Sequence, residues 1–277
     1  MLRPDGWEGR PARASTHTEG FRGLPSINLW PSLRVTGIQV DIFLIRHGEM
    51  EYEPDSAIDL DLINAYATGS KEGPLSQRGI GQAQRVAEYL MQNGVRTLYS
   101  SAFLRARQTA EETSTAIGRP FEIIKDLGEL NVGSLAPDRN PLQARILRGF
   151  RRLHGVLPYL VGDPGTKGLL GYLFVIFYFR SWTSGKTVGG ESRQDALRRI
   201  HNVFKELTGP LGPSDKVALF THGYFIHLLV NIVLDPKGAR LRLLKTPYIK
   251  NGSITHLNRS PNGRWMVRAY AHAIHLH

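Results

Sequence analysis

The stretch Asp41-Ile42-Phe43-Leu44-Ile45-Arg46-His47-Gly48-Glu49 decides how the rest of this 277-residue chain is read. Asp41–Ile45 is apolar after its first position, and its β-branched and aromatic side chains favour a buried strand. The run stops at Arg46 and His47, so charged groups stand at the carboxyl end of that strand. A second stretch repeats the arrangement. Lys216–Thr221 (KVALFT) reads as a buried strand leading into His222-Gly223, with a helix expected from about Gly223 to Leu234. In both places the glycine beside the histidine is expected to permit a sharp turn.

Working outward, helical spacing appears over Ser76–Met91, with Ser76 a candidate N-cap, over Leu104–Ile117, and over 191–207. Val95–Ser100 and Phe121–Ile124 read as strands. Ser253–Leu257 and Trp265–Ala271 read as a closing hairpin around Pro261-Asn262-Gly263. Alternation of this kind predicts an α/β fold, a three-layer α/β/α sandwich on a mainly parallel sheet. Ligands of such sheets bind outside the carboxyl ends of the strands. Arg46, His47, Arg105 and His222 all follow strands, and the helix after His222 offers free backbone N–H groups to an anion. Two histidines and two arginines from three strand ends outline a phosphate site.

Composition sets the outer bounds. Lys and Arg number 35 against 24 Asp and Glu, a formal charge of +11, which predicts an anionic partner: nucleic acid, an acidic membrane surface or a phosphorylated substrate. There is no cysteine, which excludes a disulfide scaffold, a cysteine-ligated zinc, an iron–sulfur cluster and a cysteine nucleophile. Residues 1–36 read as a flexible basic arm, and 37–277 as the folded domain. The arm holds no apolar run of signal-peptide length, so a cytoplasmic location is expected. Residues 137–188 break the strand–helix rhythm and read as an insertion or cap. They hold the Arg139–Arg152 stretch and the uncharged run Leu169–Phe179. As a helix that run would reach about 16 Å, against a hydrocarbon core of about 30 Å, so it does not span a bilayer alone. A buried core element is the leading reading, with a peripheral membrane or homodimer contact through 169–182 left open. The basic residues are spread, without the aromatic interleaving of an RNA-binding module, and no specific nucleic-acid partner is expected. Gly185-Lys186-Thr187 lacks the upstream glycine of a phosphate-binding loop, the position being Arg180.

Leu44-Ile45-Arg46-His47-Gly48-Glu49 resembles the signature of the histidine phosphatase superfamily, which includes the cofactor-dependent phosphoglycerate mutases. Further elements follow in that family's order: Gly73–Gly79 with Gln82-Ala83, Tyr99–Ala110, Leu127-Gly128-Glu129 with Gly133, Gly190-Glu191-Ser192, Thr221-His222-Gly223, and Asn251–Ile254 with His275-Leu276. The resemblance implies a phosphomonoester hydrolase for a small phosphorylated metabolite, with no metal and no cofactor. His47 would be the nucleophile. Arg46, Arg105 and His222, with Gly48 and Gly223 beside them, would hold the phosphoryl oxygens. Glu129 would be the general acid and then the base. Two departures stand out. Glu53 occupies a position where the family often has a phosphate-binding asparagine, and Ser134-Leu135-Ala136 replaces an aromatic and acidic pair. A mutase-type phosphotransferase is the alternative within the family, and a non-catalytic anion- or membrane-binding protein lies outside it.

Overall fold

The computed structural model describes residues 39–51, 72–135, 138–156, 177–234, 249–273 and 276. The N-terminal arm, Glu53 with its loop, the apolar run as far as 176, most of the 237–250 stretch, and His275 and His277 lie outside the described residues.

Alternation within two strands generates the layers. In β1 (Val40–Arg46), Ile42 and Leu44 point to one side of the sheet and Phe43 and Ile45 to the other. In β6 (Lys216–Thr221), Val217 and Leu219 are divided from Ala218 and Phe220 in the same way. A strand buried on both faces needs a cover on each. On one face α1 (Gln77–Gln92) and α2 (Leu104–Ile117) supply Val86, Leu90 and Ala110. On the other, α4 (Arg193–Thr208) and α5 (Gly223–Leu234) supply Ile200, Val203, Phe225 and Leu228. Each such Val, Leu, Ile or Phe side chain, fully removed from water, contributes about 1.5–3 kcal/mol.

The sheet has six strands in the order β3-β2-β6-β1-β7-β8, with β2 at Thr97–Ser100, β3 at Phe121–Ile123, β7 at Ile254–Arg259 and β8 at Trp265–His272. β3, β2, β6 and β1 run parallel; β7 is antiparallel to β1, and β8 turns back antiparallel to β7 in the closing hairpin. The expected α/β/α sandwich is therefore present, and its order sets β2, β6 and β1 side by side. The three strand ends named from the sequence become neighbours.

Small boundary differences have local causes. Val95 is buried but not in a strand, because its N–H closes the end of α1 by donating to Leu90 O (3.1 Å). The helix expected over 191–207 begins at Arg193, because Ser192 caps it by accepting from Asp195 N (3.1 Å). Ser76 caps α1 in the same manner, accepting from Gly79 N (3.1 Å), as its candidate role required.

Within the 137–188 segment, α3 (Pro141–Val156) is followed, beyond residues outside the description, by a helical stretch over 177–183. Arg139, Arg145 and Arg148 are exposed, a solvated basic face. Tyr178, Phe179 and Trp182 are buried in the main core, which leaves Arg180 exposed on that helix. Two short strands, β4 (Ser134–Leu135) and β5 (Thr187–Val188), pair antiparallel and tie the two ends of the segment together. Among the described residues no helix is long and apolar enough to cross a membrane.

Candidate active site

His47 follows β1 directly and is 5% exposed. Its Nδ1 lies 2.7 Å from the carbonyl oxygen of Gly48. A carbonyl can only accept, so Nδ1 carries the hydrogen and the ring lone pair sits on Nε2. The loop around it is held by neutral side chains from elsewhere in the fold. Thr109 of α2 accepts from Gly48 N (3.0 Å), and Gln82 of α1 accepts from Glu49 N (2.9 Å). From the other side Asn251 donates to the carbonyls of His47 and Gly48, and Gly252 N donates to those of Arg46 and His47.

His222, fully buried, stands beside His47 with ring centroids 5.2 Å apart. Arg105 Nε donates to its Nδ1 (3.3 Å), and its Nε2 lies 2.9 Å from Ser101 Oγ. An Nδ1 that accepts from a guanidinium is unprotonated. The electrostatics agree: burial first, then the charge of Arg105, holds the His222 pKa well below its ordinary value. Arg105, second residue of α2 and 4% exposed, stacks its guanidinium on Phe103 at 4.7 Å. Arg46 packs over the start of α5 and donates to the carbonyl of Ile249.

Glu129 completes the group from a different direction. It follows a 3₁₀ turn, Lys125–Leu127, and reaches the start of α5, where its carboxylate accepts from Tyr224 N (3.3 Å) and Phe225 N (3.1 Å) as well as from Leu130 N (3.0 Å). Burial raises its pKa, against the opposing pull of those backbone donors and of Arg105 and Arg46. The pocket thus contains an oriented imidazole, two arginines, a neutral second histidine and a carboxyl that holds its proton above the usual range.

The expected reason for the two glycines needs correction. Neither Gly48 nor Gly223 has a positive φ, so neither is a special turn. Gly48 is required by crowding, since a Cβ there would stand 2.6 Å from the carbonyl oxygen of Gly79 at the start of α1. At Gly223 a Cβ would meet Arg46 Nε at 3.5 Å, an ordinary contact. Gly185-Lys186-Thr187 lies between a helix and a strand with Lys186 exposed, the reverse of a strand–loop–helix phosphate cradle. Among the described residues no cluster of His, Asp and Glu could hold a metal ion.

The sequence model of the histidine phosphatase superfamily (branch 1) matches residues 42–147 and 176–272. The chain belongs to that superfamily. The two matched stretches carry every site residue named above and leave residues 148–175, inside the 137–188 segment, unmatched. A curated relative, the "Probable phosphoglycerate mutase GpmB" of Cronobacter sakazakii, is 24% identical over 241 residues, covering 86% of this chain and 95% of its own. A solved mycobacterial glucosyl-3-phosphoglycerate phosphatase superposes with a TM-score of 0.58 at 22% identity, covering 84% of this chain and 99% of its own. The phosphoglycerate mutase of Bacillus anthracis gives 0.56 at 19%, covering 87% and 96%. These likenesses establish the fold, while the names divide between phosphatase and mutase.

Sequence reading assigned no role to Thr109, Gln82, Asn251 or Ser101, although each lies inside a stretch that resembled the family. Their signal was membership in those stretches. What they do became visible only when helices from distant parts of the chain met the His47 loop.

Proposed function

We propose that this protein is a phosphomonoester hydrolase acting through a phosphohistidine on His47. One observation carries the reading: the Nδ1–H bond to Gly48 O presents the Nε2 lone pair of a buried histidine beside two arginines. Nε2 attacks phosphorus, the bond from phosphorus to the alcohol oxygen breaks, and Glu129 gives its proton to that oxygen. Glu129, now a carboxylate, takes a proton from water. The water oxygen attacks phosphorus, the P–N bond breaks, and inorganic phosphate leaves with His47 restored. Arg46 and Arg105 supply the fixed positive charge that the transferring group needs. His222 orients Arg105 through Nδ1 and turns its Nε2–H from Ser101 toward a phosphoryl oxygen.

The names of the mutase relatives favour a second reading, in which the phosphoryl group returns to a phosphorylated acceptor rather than to water. The test is a panel of phosphorylated substrates assayed with and without EDTA, with rapid quenching at alkaline pH. Wild type should release free phosphate in step with substrate loss, retain activity in EDTA and show acid-labile phosphate on His47. His47→Ala should do none of this. Activity that survives in His47→Ala, or disappears with EDTA, sinks the mechanism. Isomerisation of a phosphate ester without release of free phosphate selects the mutase.

A further inference from the structure

Outside the active-site group a dense polar assembly joins Arg199 of α4 to Glu191, just before that helix. Arg199 Nη2 meets Glu191 Oε1 at 2.7 Å and Nε meets Oε2 at 3.1 Å, a two-point contact whose side chains are 19% and 18% exposed. The remaining donors of the guanidinium go to main chain. Nη1 donates to Asp126 O (2.7 Å) and Gly128 O (3.1 Å), and Nη2 reaches Glu129 O at 3.5 Å. Glu191 in turn accepts from Asn131 N (2.9 Å), and its own N–H donates to Asn131 O (2.8 Å). One ion pair therefore touches the backbone at 126, 128, 129 and 131, on both sides of Glu129.

The surroundings lock that pair against the loop. Trp182 Nε1 donates to Glu191 O (2.7 Å). Gly190 lies back to back with Gly133, whose φ is +69°, and a Cβ on Gly190 would stand 2.3 Å from Gly133 N. Tyr178 donates its hydroxyl proton to Gly133 O. The hydrogen bonds of these groups are spent on the peptide units from which the Glu129 carboxyl projects.

We propose that Arg199 and Glu191 are positioning residues, a charged clamp that sets the reach of the Glu129 carboxyl toward the leaving oxygen. The inference rests on Glu129 being the proton donor. A simple surface ion pair contributes little and could be deleted quietly. This one fixes a backbone, and proton transfer responds steeply to misplacement of about 1 Å, on the order of 100-fold in rate. The consequence is selective. Substrates with a poor leaving group need the acid, whereas p-nitrophenyl phosphate departs with little help.

The experiment compares kcat/KM for p-nitrophenyl phosphate and for an alkyl phosphate that wild type hydrolyses, across wild type, Glu129→Gln, Arg199→Ala, Arg199→Lys and Glu191→Gln. Arg199→Ala should lose about 10- to 100-fold on the alkyl phosphate and far less on the aryl one. Arg199→Lys, which keeps the charge but not the fork, should fall between it and wild type. Adding Arg199→Ala to Glu129→Gln should cost nothing further in selectivity, because both act through one carboxyl. Should Arg199→Ala fail to fold, Arg199→Lys and Glu191→Gln carry the same selectivity test. Equal losses on both substrates in folded variants, or additive losses in the double variant, overturn the clamp while leaving the acid assignment standing. If Glu129→Gln itself slows both substrates alike, the acid assignment falls and the clamp with it.

Discussion

The two sides of the pocket are built from different materials. Around His47 the loop backbone is held by uncharged groups, Thr109, Gln82, Asn251 and the backbone of Gly252, and the ion pair there, Arg78 to the Glu49 side chain (3.4 Å), is solvent-exposed on the arginine side. Around Glu129 the loop is held by an ion pair from behind and by the N–H groups of α5 in front. The difference fits the roles proposed for the two residues. A nucleophile must keep one tautomer, and neutral bonds do not change with its protonation. A group that gives up and recovers a proton gains from donors that favour its charged form, offset here by burial that favours the neutral one.

The largest effect should come from breaking the acid side. Glu129→Gln is expected to lower kcat/KM on alkyl phosphates by about 10²–10⁴-fold. Because its pKa is raised, wild type should keep this activity at a higher pH than an ordinary carboxyl allows, then lose it as Glu129 ionises. Glu129→Gln should lack that basic limb. A limb unchanged in the variant would assign it to another group.

The nucleophile side should respond without regard to leaving group. Thr109→Val keeps the shape but leaves Gly48 N–H buried without its acceptor, at a cost of about 1–3 kcal/mol in unfolding free energy. Denaturant melts read that loss. The same variant should slow aryl and alkyl phosphates by equal factors, since His47 serves both. A preference for one of them would erase the contrast between the two sides.

The effect expected to touch activity least lies away from the chemistry and checks whether a neutral buried histidine implies function. His227, in the middle of α5 and 5% exposed, faces the Tyr270 hydroxyl at 3.1 Å and has its pKa pushed down to about 4 by burial. A depressed histidine pKa makes its contribution to stability full above the unfolded value and lost as pH falls toward the folded one. Between pH about 6.5 and about 4 the fold should therefore lose on the order of 3 kcal/mol through this residue. In His227→Gln, melts over that range should show a shallower decline, with the leaving-group preference unchanged. A slope identical to wild type would place the loss elsewhere.

Much of this was legible before any coordinates. β6, α2 and α5 begin and end where the apolar spacing placed them, because period and breaker residues are local properties. Arg46, His47, Arg105 and His222 could be grouped from their positions at strand ends, because parallel sheets gather those ends on one edge. Glu129 was different: no local pattern marks a carboxyl as an acid, and only the likeness of its surroundings to a known family pointed there. The reason offered for Gly48 was plausible and wrong, since crowding by Gly79 is a contact between residues 31 positions apart.

What the sequence determined by itself is the layered α/β order and the set of groups that can meet an anion, both products of periodicity and chain direction. What only the tertiary structure decided is the state of those groups. The hydrogen on His47 Nδ1, the neutrality of His222, the raised Glu129 and the grip of Arg199 on residues 126–129 all depend on partners far away in the chain. Arg199 lies 71 residues from Gly128, and His222 lies 117 from Arg105. Burial and hydrogen-bond direction arise from packing, and packing joins residues whose separation leaves no periodic trace.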